Sequence, residues 1–293
     1  MFKYSYNALV YYGEALQASA ERLARFGYDA IELVGEPSDY DFGQVRAIAA
    51  DTGLKVSSIC SIFNAERDLG HPDASVRARA VAYVKEVADM AAGIGAPTII
   101  AAPVANMRIR EIGSREDEWK WAVEGIREGG EYAASLGVNL CIEAWNRFES
   151  YMLNRLDQAE AMRREVGLAN VGIMGDTFHM NIDEHDIAGA IRQNGDALIH
   201  IHLADSNRAA PGEGHTDFEP ILRALRDIGY EGYLTFELLP AAADPFGVMK
   251  RGGGQAFFDA YTEQAIARIK EIERKLAAEA GSEARKRMPA SSK

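Results

Sequence analysis

The sequence is poor in cysteine and in positive charge. Its 293 residues include only Cys60 and Cys141, too few for a disulfide framework. Both lie in apolar, strand-like runs, where we expect unpaired, buried thiols. Lysine and arginine total 32 against 44 aspartates and glutamates, and the net charge of −12 would repel a nucleic-acid backbone. A small uncharged partner fits this composition better than nucleic acid.

Long apolar runs are also missing. No stretch approaches the roughly 20 residues needed to span a bilayer. The first residues, MFKYSYNALVYY, lack the charged start and the small-residue cleavage site of a signal peptide. We therefore expect a cytoplasmic protein that does not associate with membranes.

Short β-branched runs alternate with longer helical patterns along the chain. This alternation predicts parallel strands joined by crossover helices. An open, doubly wound sheet shares the alternation but usually has fewer strands, so eight strands favour a closed (β/α)8 barrel. The predicted strands are Phe2–Leu9, Tyr28–Val34, Leu54–Cys60, Pro97–Ala102, Val138–Glu143, Asn170–Asp176, Leu198–Leu203 and Gly232–Leu238.

The boundaries of the barrel follow from the same pattern. Several predicted helices end at a glycine, which tolerates a positive φ: Gly27, Gly53, Gly137 and Gly229. We predict one catalytic barrel domain over residues 1–280. Residues 281–293 have little to bury and are predicted to form a disordered tail.

Four residues with metal-binding side chains stand at or near the ends of different predicted strands. They are Glu143, Asp176, His202 and Glu237, separated by 33, 26 and 35 positions. In a (β/α)8 barrel the carboxyl ends of the strands converge on one mouth, so these side chains can meet. Three carboxylates and one imidazole suit Mn²⁺, Mg²⁺ or Co²⁺ better than a structural zinc. The pattern predicts a metal-dependent enzyme.

Two of these residues also have a simpler interpretation. Glu143 could pair with Arg147, and Asp176 could cap a helix. His200 lies two residues before His202, on the same face of the strand and deeper in the barrel. We expect His202 to be the ligand and His200 to support it from behind or to be a core histidine.

Three segments resemble the ketose 3-epimerases, a group within the xylose isomerase-like barrels that includes D-tagatose 3-epimerase and D-psicose (allulose) 3-epimerase. IEAWNRFES resembles the pattern IExxNRFE of that family, and GDTFHMNIDEHDI resembles DTFHMNIEE. HIHLADSNRAAPGEGHTDF resembles HxHxxDxNRxxPGxGHxDF. The resemblance is strongest from about residue 138 to residue 239.

The resemblance implies roles for seven residues. Glu143, Asp176, His202 and Glu237 would bind one divalent ion per subunit, with Mn²⁺ expected before Co²⁺ or Mg²⁺. Glu143 and Glu237 would also be the catalytic acid and base. Glu149, His179 and Arg208 would bind the substrate. If the family resemblance is set aside, Glu149 and Arg208 could equally be surface loop residues and His179 a helix cap. A homodimer or homotetramer is implied as well.

The chemistry implied is inversion of C3 in a free ketose of the D-tagatose, D-psicose, D-fructose or L-ribulose type. One glutamate would remove the C3 proton, giving a metal-stabilised enediolate, and the other would return a proton on the opposite face. Other activities of this barrel group are alternatives: a sugar or hydroxypyruvate isomerase, an inosose dehydratase, or a C-glycoside-cleaving subunit. A metal-dependent DNA-repair endonuclease would need a histidine-rich centre and a basic groove, which six histidines and a strong negative charge do not favour. A non-catalytic sugar-binding protein is hard to reconcile with four convergent metal-type ligands.

Overall fold

The computed structural model describes residues 1–240, 242, 244–251 and 255–287. Eight parallel strands pair in sequence order, and the last pairs with the first, so the sheet closes into a barrel. The strands are β1 (Lys3–Asn7), β2 (Ala30–Gly35), β3 (Lys55–Ser61), β4 (Thr98–Ala101), β5 (Asn139–Glu143), β6 (Val171–Asp176), β7 (Leu198–Leu203) and β8 (Tyr233–Phe236).

Helices follow the strands and cover the outside of the barrel. They are α1 (Leu16–Phe26), α2 (Phe42–Thr52), α3 (Ala74–Ile94), α4 (Arg115–Ser135), α5 (Leu156–Val166), α6 (Thr177–Asp183), α7 (Ile187–Gln193), α8 (Phe218–Asp227), α9 (Pro245–Lys250) and α10 (Gln255–Arg287). Two short 3₁₀ helices, Ala8–Tyr11 and Pro37–Asp39, follow β1 and β2. The predicted fold class, a single closed (β/α)8 barrel, is confirmed.

Each predicted strand overlaps an observed one, and their ends agree within a few residues. The prediction works because both faces of a parallel barrel strand are buried, which produces the short apolar runs. The four glycines predicted to end helices all have a positive φ, between 68° at Gly229 and 79° at Gly27. Glycine adopts this conformation without a steric penalty from Cβ, so each helix can turn directly into the next strand.

Alternate residues of β1 face opposite sides of the barrel wall. Tyr4 and Tyr6 are 2% and 0% exposed and pack in the layer between the strands and the helices. The Tyr4 hydroxyl donates to Glu273 on α10 at 2.6 Å. Ser5 and Asn7 are on the other face, and the Asn7 amide reaches Glu237 at 2.9 Å. The tyrosines therefore belong to the core, and the polar face of β1 belongs to the barrel interior.

The last helix is longer than the sequence indicated. α10 continues to Arg287, so residues 281–287 of the predicted tail are helical, and residues 288–293 lie outside the described residues. Alanine, glutamate, lysine and arginine favour helix and extend α10 past the predicted boundary. The glycines at positions 252–254, between α9 and α10, also lie outside the described residues. Among the described helices, none is both long enough and apolar enough to cross a membrane.

Candidate active site

The four residues singled out as possible metal ligands all lie at the carboxyl ends of the strands. Glu143 and Asp176 are the last residues of β5 and β6, His202 is on β7, and Glu237 directly follows β8. Asp176 and His202 are partners in the β6–β7 register. None of the four is more than 7% exposed. The fold therefore gathers them at one buried position inside the mouth.

His202 is at the centre of this group. Its Nδ1 lies 3.2 Å from Glu237 Oε2 and 3.7 Å from Asp176 Oδ2. Ligand atoms of Glu143, Asp176 and His202 lie within 4.8 Å of one another, a spacing that a single ion could bridge. Three carboxylates and one imidazole are thus concentrated around one point.

Arg208 provides a positive charge next to these carboxylates. Its guanidinium donates to Asp176 Oδ2 and to Glu237 Oε2 and lies 5.0 Å from the centre of the Phe178 ring. Its backbone has a φ of 65°, an uncommon conformation for a residue with a side chain. The loop after β7 therefore turns sharply at Arg208 and directs the side chain into the site.

The charges of the cluster do not balance. Burial acts to raise the pKa of Glu237, but Arg208 and His202 hold it below its ordinary value. The pKa of Glu143, by contrast, is raised to about 8, mainly by burial. His202 opposes this rise, and the carboxylates of Glu237 and Asp176 reinforce it. A divalent cation would compensate this excess of buried negative charge, and oxygen and imidazole donors suit it. The residues fit a metal ion by charge and donor type.

A second group of side chains lies beside the cluster. His179, on α6, is 4% exposed, and its Nε2 is 4.0 Å from Asp176 Oδ2. The Asn146 amide donates to His179 Nδ1 at 2.7 Å and to Glu149 Oε1 at 2.9 Å. Asn106 donates to the other oxygen of Glu149 at 3.0 Å. Glu149, His179 and Arg208 all border the cluster, and polar neighbours hold each in position.

The simpler interpretations of these residues have different outcomes. Arg147 does not pair with Glu143; its guanidinium binds Asp183 at 2.6 Å. Asp176 does cap α6, accepting from Phe178 N at 2.9 Å through Oδ1, while Oδ2 faces the cluster. One carboxylate therefore serves both the helix and the site.

Sequence reasoning did not single out Glu32, Asn7 and Asn146. Glu32 on β2 is 0% exposed and lies between His200 and His202. A lone glutamate within the apolar run AIELVG was the available signal, because burying an unpaired carboxylate is unfavourable. His200 supports the site from behind, as expected, through its contact with Glu32.

Gly175 and Trp145 shape the surroundings of the cluster. A Cβ at position 175 would lie 2.9 Å from Met180 Sδ, so glycine allows α6 to approach β6 closely. Trp145, two residues after Glu143, is 9% exposed and packs into the main core. Both residues thus affect how tightly the loops close around the site.

Comparison with known proteins identifies the family. The model of the xylose isomerase-like TIM barrel matches residues 20–252. The chain is 35% identical to a D-psicose 3-epimerase of Agrobacterium fabrum over 74% of this chain and 77% of that protein. It is 31% identical to an L-ribulose 3-epimerase of Mesorhizobium japonicum over 81% of both.

A solved structure of an L-ribulose 3-epimerase agrees with the whole barrel. It superposes with a TM-score of 0.86 at 28% identity and covers 99% of this chain and 100% of its own. Sequence and structure comparisons therefore agree over most of the chain. The chain belongs to the xylose isomerase-like TIM barrel family and, within it, to the ketose 3-epimerases, a group of carbohydrate epimerases.

Proposed function

We propose that this enzyme inverts C3 of a free ketose of the D-psicose, D-fructose, D-tagatose or L-ribulose type. The observation that carries the proposal is the pair of buried glutamates, Glu143 and Glu237, at the barrel mouth. Glu143 ends β5 and Glu237 directly follows β8, three positions apart in a ring of eight strands, so they approach the mouth from different sides. Two carboxylates on different sides suit removal of a proton from one face and its return to the other.

In the proposed reaction, one glutamate accepts the C3 proton of the ketose and the other donates a proton to the opposite face. A single base would mostly restore the starting sugar, so inversion requires both. Glu237 is held by Asn7 and Arg208, while Glu143 leaves its strand next to the buried Trp145. Glu237 is therefore held in place by hydrogen bonds from two sides.

Glu143, Asp176, His202 and Glu237 would hold one divalent ion, for which we propose Mn²⁺, with Co²⁺ and Mg²⁺ as alternatives. When bound, the ion would supply positive charge for the oxygens of the enediolate. Glu149, His179 and Arg208 would bind hydroxyl and carbonyl oxygens of the sugar. Asn146 and Asn106 already orient Glu149 from behind.

The charges around the mouth favour an unphosphorylated sugar. The guanidinium groups of Arg147 and Arg208 are each paired with carboxylates, those of Asp183 and of the cluster. A phosphate would have to compete with these carboxylates for the same cations. The proposed ligand is therefore a free ketose, and we propose a homodimer or homotetramer as the assembly.

The test is proton exchange at C3. The full chain is stripped with a chelator, reloaded with Mn²⁺, Co²⁺ or Mg²⁺, and incubated in D₂O with D-fructose, D-tagatose, D-psicose and L-ribulose. NMR should show metal-dependent incorporation of deuterium at C3 together with formation of the C3 epimer. Exchange at C1 would indicate an isomerase and loss of water a dehydratase, and either would overturn the proposal.

The same assay tests the two glutamates. Glu143→Gln and Glu237→Gln should each lower the rate by about 10²–10⁴-fold, the range typical of general acid–base catalysis. Glu128→Gln is the matched control, because Glu128 bonds only the surface side chain of Lys85 among the described contacts. Wild-type turnover in either site variant would remove that residue from the proposed pair.

A further inference from the structure

Glu32 is a buried carboxylate directly behind the candidate metal ligand His202. Its Oε2 accepts from Ser58 Oγ at 2.5 Å and from His200 Nε2 at 2.8 Å. Its Oε1 lies 2.8 Å from His202 Nε2, close but not aligned as a hydrogen bond, and neither atom has another hydrogen-bond partner among the described residues. Glu32 and His202 are both 0% exposed, so no bulk water competes for these contacts. The other ring nitrogen of His202, Nδ1, faces Asp176 and Glu237.

We propose that Glu32 is a positioning residue that fixes the tautomer and the orientation of His202. A neutral imidazole carries one proton, on either Nδ1 or Nε2. An ionised carboxylate only accepts, so Glu32 places the proton on Nε2 and leaves the lone pair of Nδ1 directed into the site. A carboxylate behind a histidine ligand also makes the ring a stronger donor. This inference rests on the proposed metal-binding role of His202.

The surroundings of Glu32 support a fixed carboxylate. Ser58 on β3 and His200 on β7 both bond Oε2 and leave Oε1 for His202. The rings of His200 and His202 meet edge to face, with centroids 5.1 Å apart and an interplanar angle of 76°. His202 is thus held by Glu32 at one nitrogen and by His200 at its side. Rotation of its ring would require both neighbours to move.

Glu32, His200 and His202 could in principle form a metal site of their own, since their ligand atoms also lie close together. The contacts of Glu32 favour a supporting role. Its Oε2 already accepts hydrogen bonds from Ser58 and His200. A tetrahedral ion would hold two ligands at about 2.0–2.2 Å roughly 3.3 Å or more apart, wider than the 2.8 Å between each imidazole nitrogen and a Glu32 oxygen. An octahedral ion is distinguished by the number of ions that the protein binds.

The experiment measures metal binding without any sugar. The full chain is stripped of metal, and the Kd for Mn²⁺ and the number of ions bound are determined by titration. Glu32→Gln should raise the Kd by about 10–100-fold, the effect typical of removing such a partner of a metal ligand. Ser58→Ala is the matched control: it removes one bond to Glu32 and leaves the carboxylate beside His202, so we expect a change below about threefold.

Co²⁺ gives a second measurement that a merely structural role would not affect. His202 is the one imidazole in the proposed ligand set, so the Co²⁺-loaded protein should show a single shifted, slowly exchanging imidazole N–H signal by NMR. Glu32→Gln should shift this signal and speed its exchange, because an amide oxygen is a weaker acceptor than a carboxylate. If that variant does not fold, Glu32→Asp is used, because its shorter side chain keeps the charge but withdraws it from His202. We expect the same changes in the Mn²⁺ Kd and in the exchange of the N–H signal.

An unchanged Kd in the folded Glu32 variant would overturn the inference. So would two ions bound by the wild type and one by the variant, which would make Glu32 a ligand of a second ion. Neither measurement requires turnover. A protein that binds Mn²⁺ in the expected manner but converts no ketose would contradict the proposed function and leave the role of Glu32 intact.

Discussion

Asn146 shows how a single amide can organise two candidate substrate-binding residues. It is 1% exposed, and its Nδ2 donates both to Glu149 Oε1 and to His179 Nδ1. Its Oδ1 accepts from Phe148 N at 3.0 Å and so fixes which way the amide faces. Because His179 Nδ1 accepts this bond, the ring proton is on Nε2, on the side of Asp176. His179 is therefore prepared to donate to an oxygen of the sugar.

Asn146→Asp should reverse that arrangement. The new carboxylate can only accept, so the proton of His179 moves to Nδ1, and a second negative charge stands beside Glu149. Loss of one neutral hydrogen bond to the substrate, about 0.5–1.5 kcal/mol, predicts a KM about two- to tenfold higher. Steady-state kinetics on the best ketose, with the Mn²⁺ Kd measured in parallel, give the readout.

Asn106→Ala is the control for this change, since it removes the other amide from Glu149 and leaves His179 untouched. We expect a smaller rise in KM for it and no change in the Mn²⁺ Kd for either variant. Equal KM values in the two variants would show that the tautomer of His179 does not matter for binding.

The site residues differ in how readily they could be predicted from the sequence. Glu143, Asp176, His202 and Glu237 could be found because each stands at the end of an apolar run, and the barrel brings such ends together. Their assignment as ligands remains a prediction. Asn146 and Glu32 were missed because their roles depend on contacts between strands and loops far apart in sequence, which periodicity does not reveal.

Among the elements, the loop between β4 and α4 is held by a buried ionic cluster. Arg108 donates to both oxygens of Asp68, at 3.0 and 2.8 Å, and also to Glu118 on α4. Glu118, 0% exposed, accepts further bonds from the Tyr151 hydroxyl and from the backbone of residues 112 and 113. The cluster fixes the loop that carries Asn106, and thereby one of the contacts to Glu149.

Glu118→Gln should destabilise the protein by about 1–3 kcal/mol near neutral pH, because an amide replaces a charged acceptor while Asp68 still pairs with Arg108. Burial acts to raise the pKa of Glu118, but the hydrogen bonds from Gly113, Tyr151 and Ile112 and the charge of Arg108 hold it below its ordinary value. Ionised Glu118 therefore contributes its full stabilisation above its pKa in the unfolded chain, about 4.3. That contribution is lost as the pH falls through the lower pKa of Glu118 in the folded protein.

Urea unfolding at several pH values between about 7 and 3 tests both statements. The difference in unfolding free energy between wild type and Glu118→Gln should shrink as the pH falls below about 4.3. Glu36→Gln is the control, because Glu36 pairs with Arg67 at 2.7 Å while both side chains are 28% exposed; we expect a loss below about 1 kcal/mol. A difference that stays constant across the pH range would contradict the assignment.

At the scale of the whole molecule, closure of the barrel depends on the two ends of the chain. β1 pairs with β8, and α10 packs over this junction. The alternation of strands and helices predicted eight strands, and therefore closure. It did not reveal the short helix α6 after β6 or the full length of α10, because helices of a few residues and helix ends depend on capping and tertiary contacts more than on periodicity.

Two truncations separate the part of α10 that closes the barrel from the predicted tail. Glu273 accepts from Phe2 N at 2.7 Å and from the Tyr4 hydroxyl at 2.6 Å, and Leu276 is 2% exposed in the core. Deleting residues 273–293 removes these contacts. The lost leucine burial, about 2–5 kcal/mol, and two hydrogen bonds of about 1 kcal/mol each predict a Tm lower by about 10 °C or more.

Deleting only residues 281–293 should leave the Tm within about 2 °C and the epimerase rate unchanged. The described side-chain contacts of α10 end with Glu279, which bonds Arg223 at 3.0 Å and is retained in this truncation. An isolated surface ion pair contributes about 1 kcal/mol or less to stability. We therefore expect the end of the helix beyond Glu279 to add little to the free energy of unfolding. Thermal unfolding by circular dichroism compares the two truncations with the full chain. A similar fall in Tm for both would show that residues 281–293 belong to the folded domain, against the predicted boundary at residue 280.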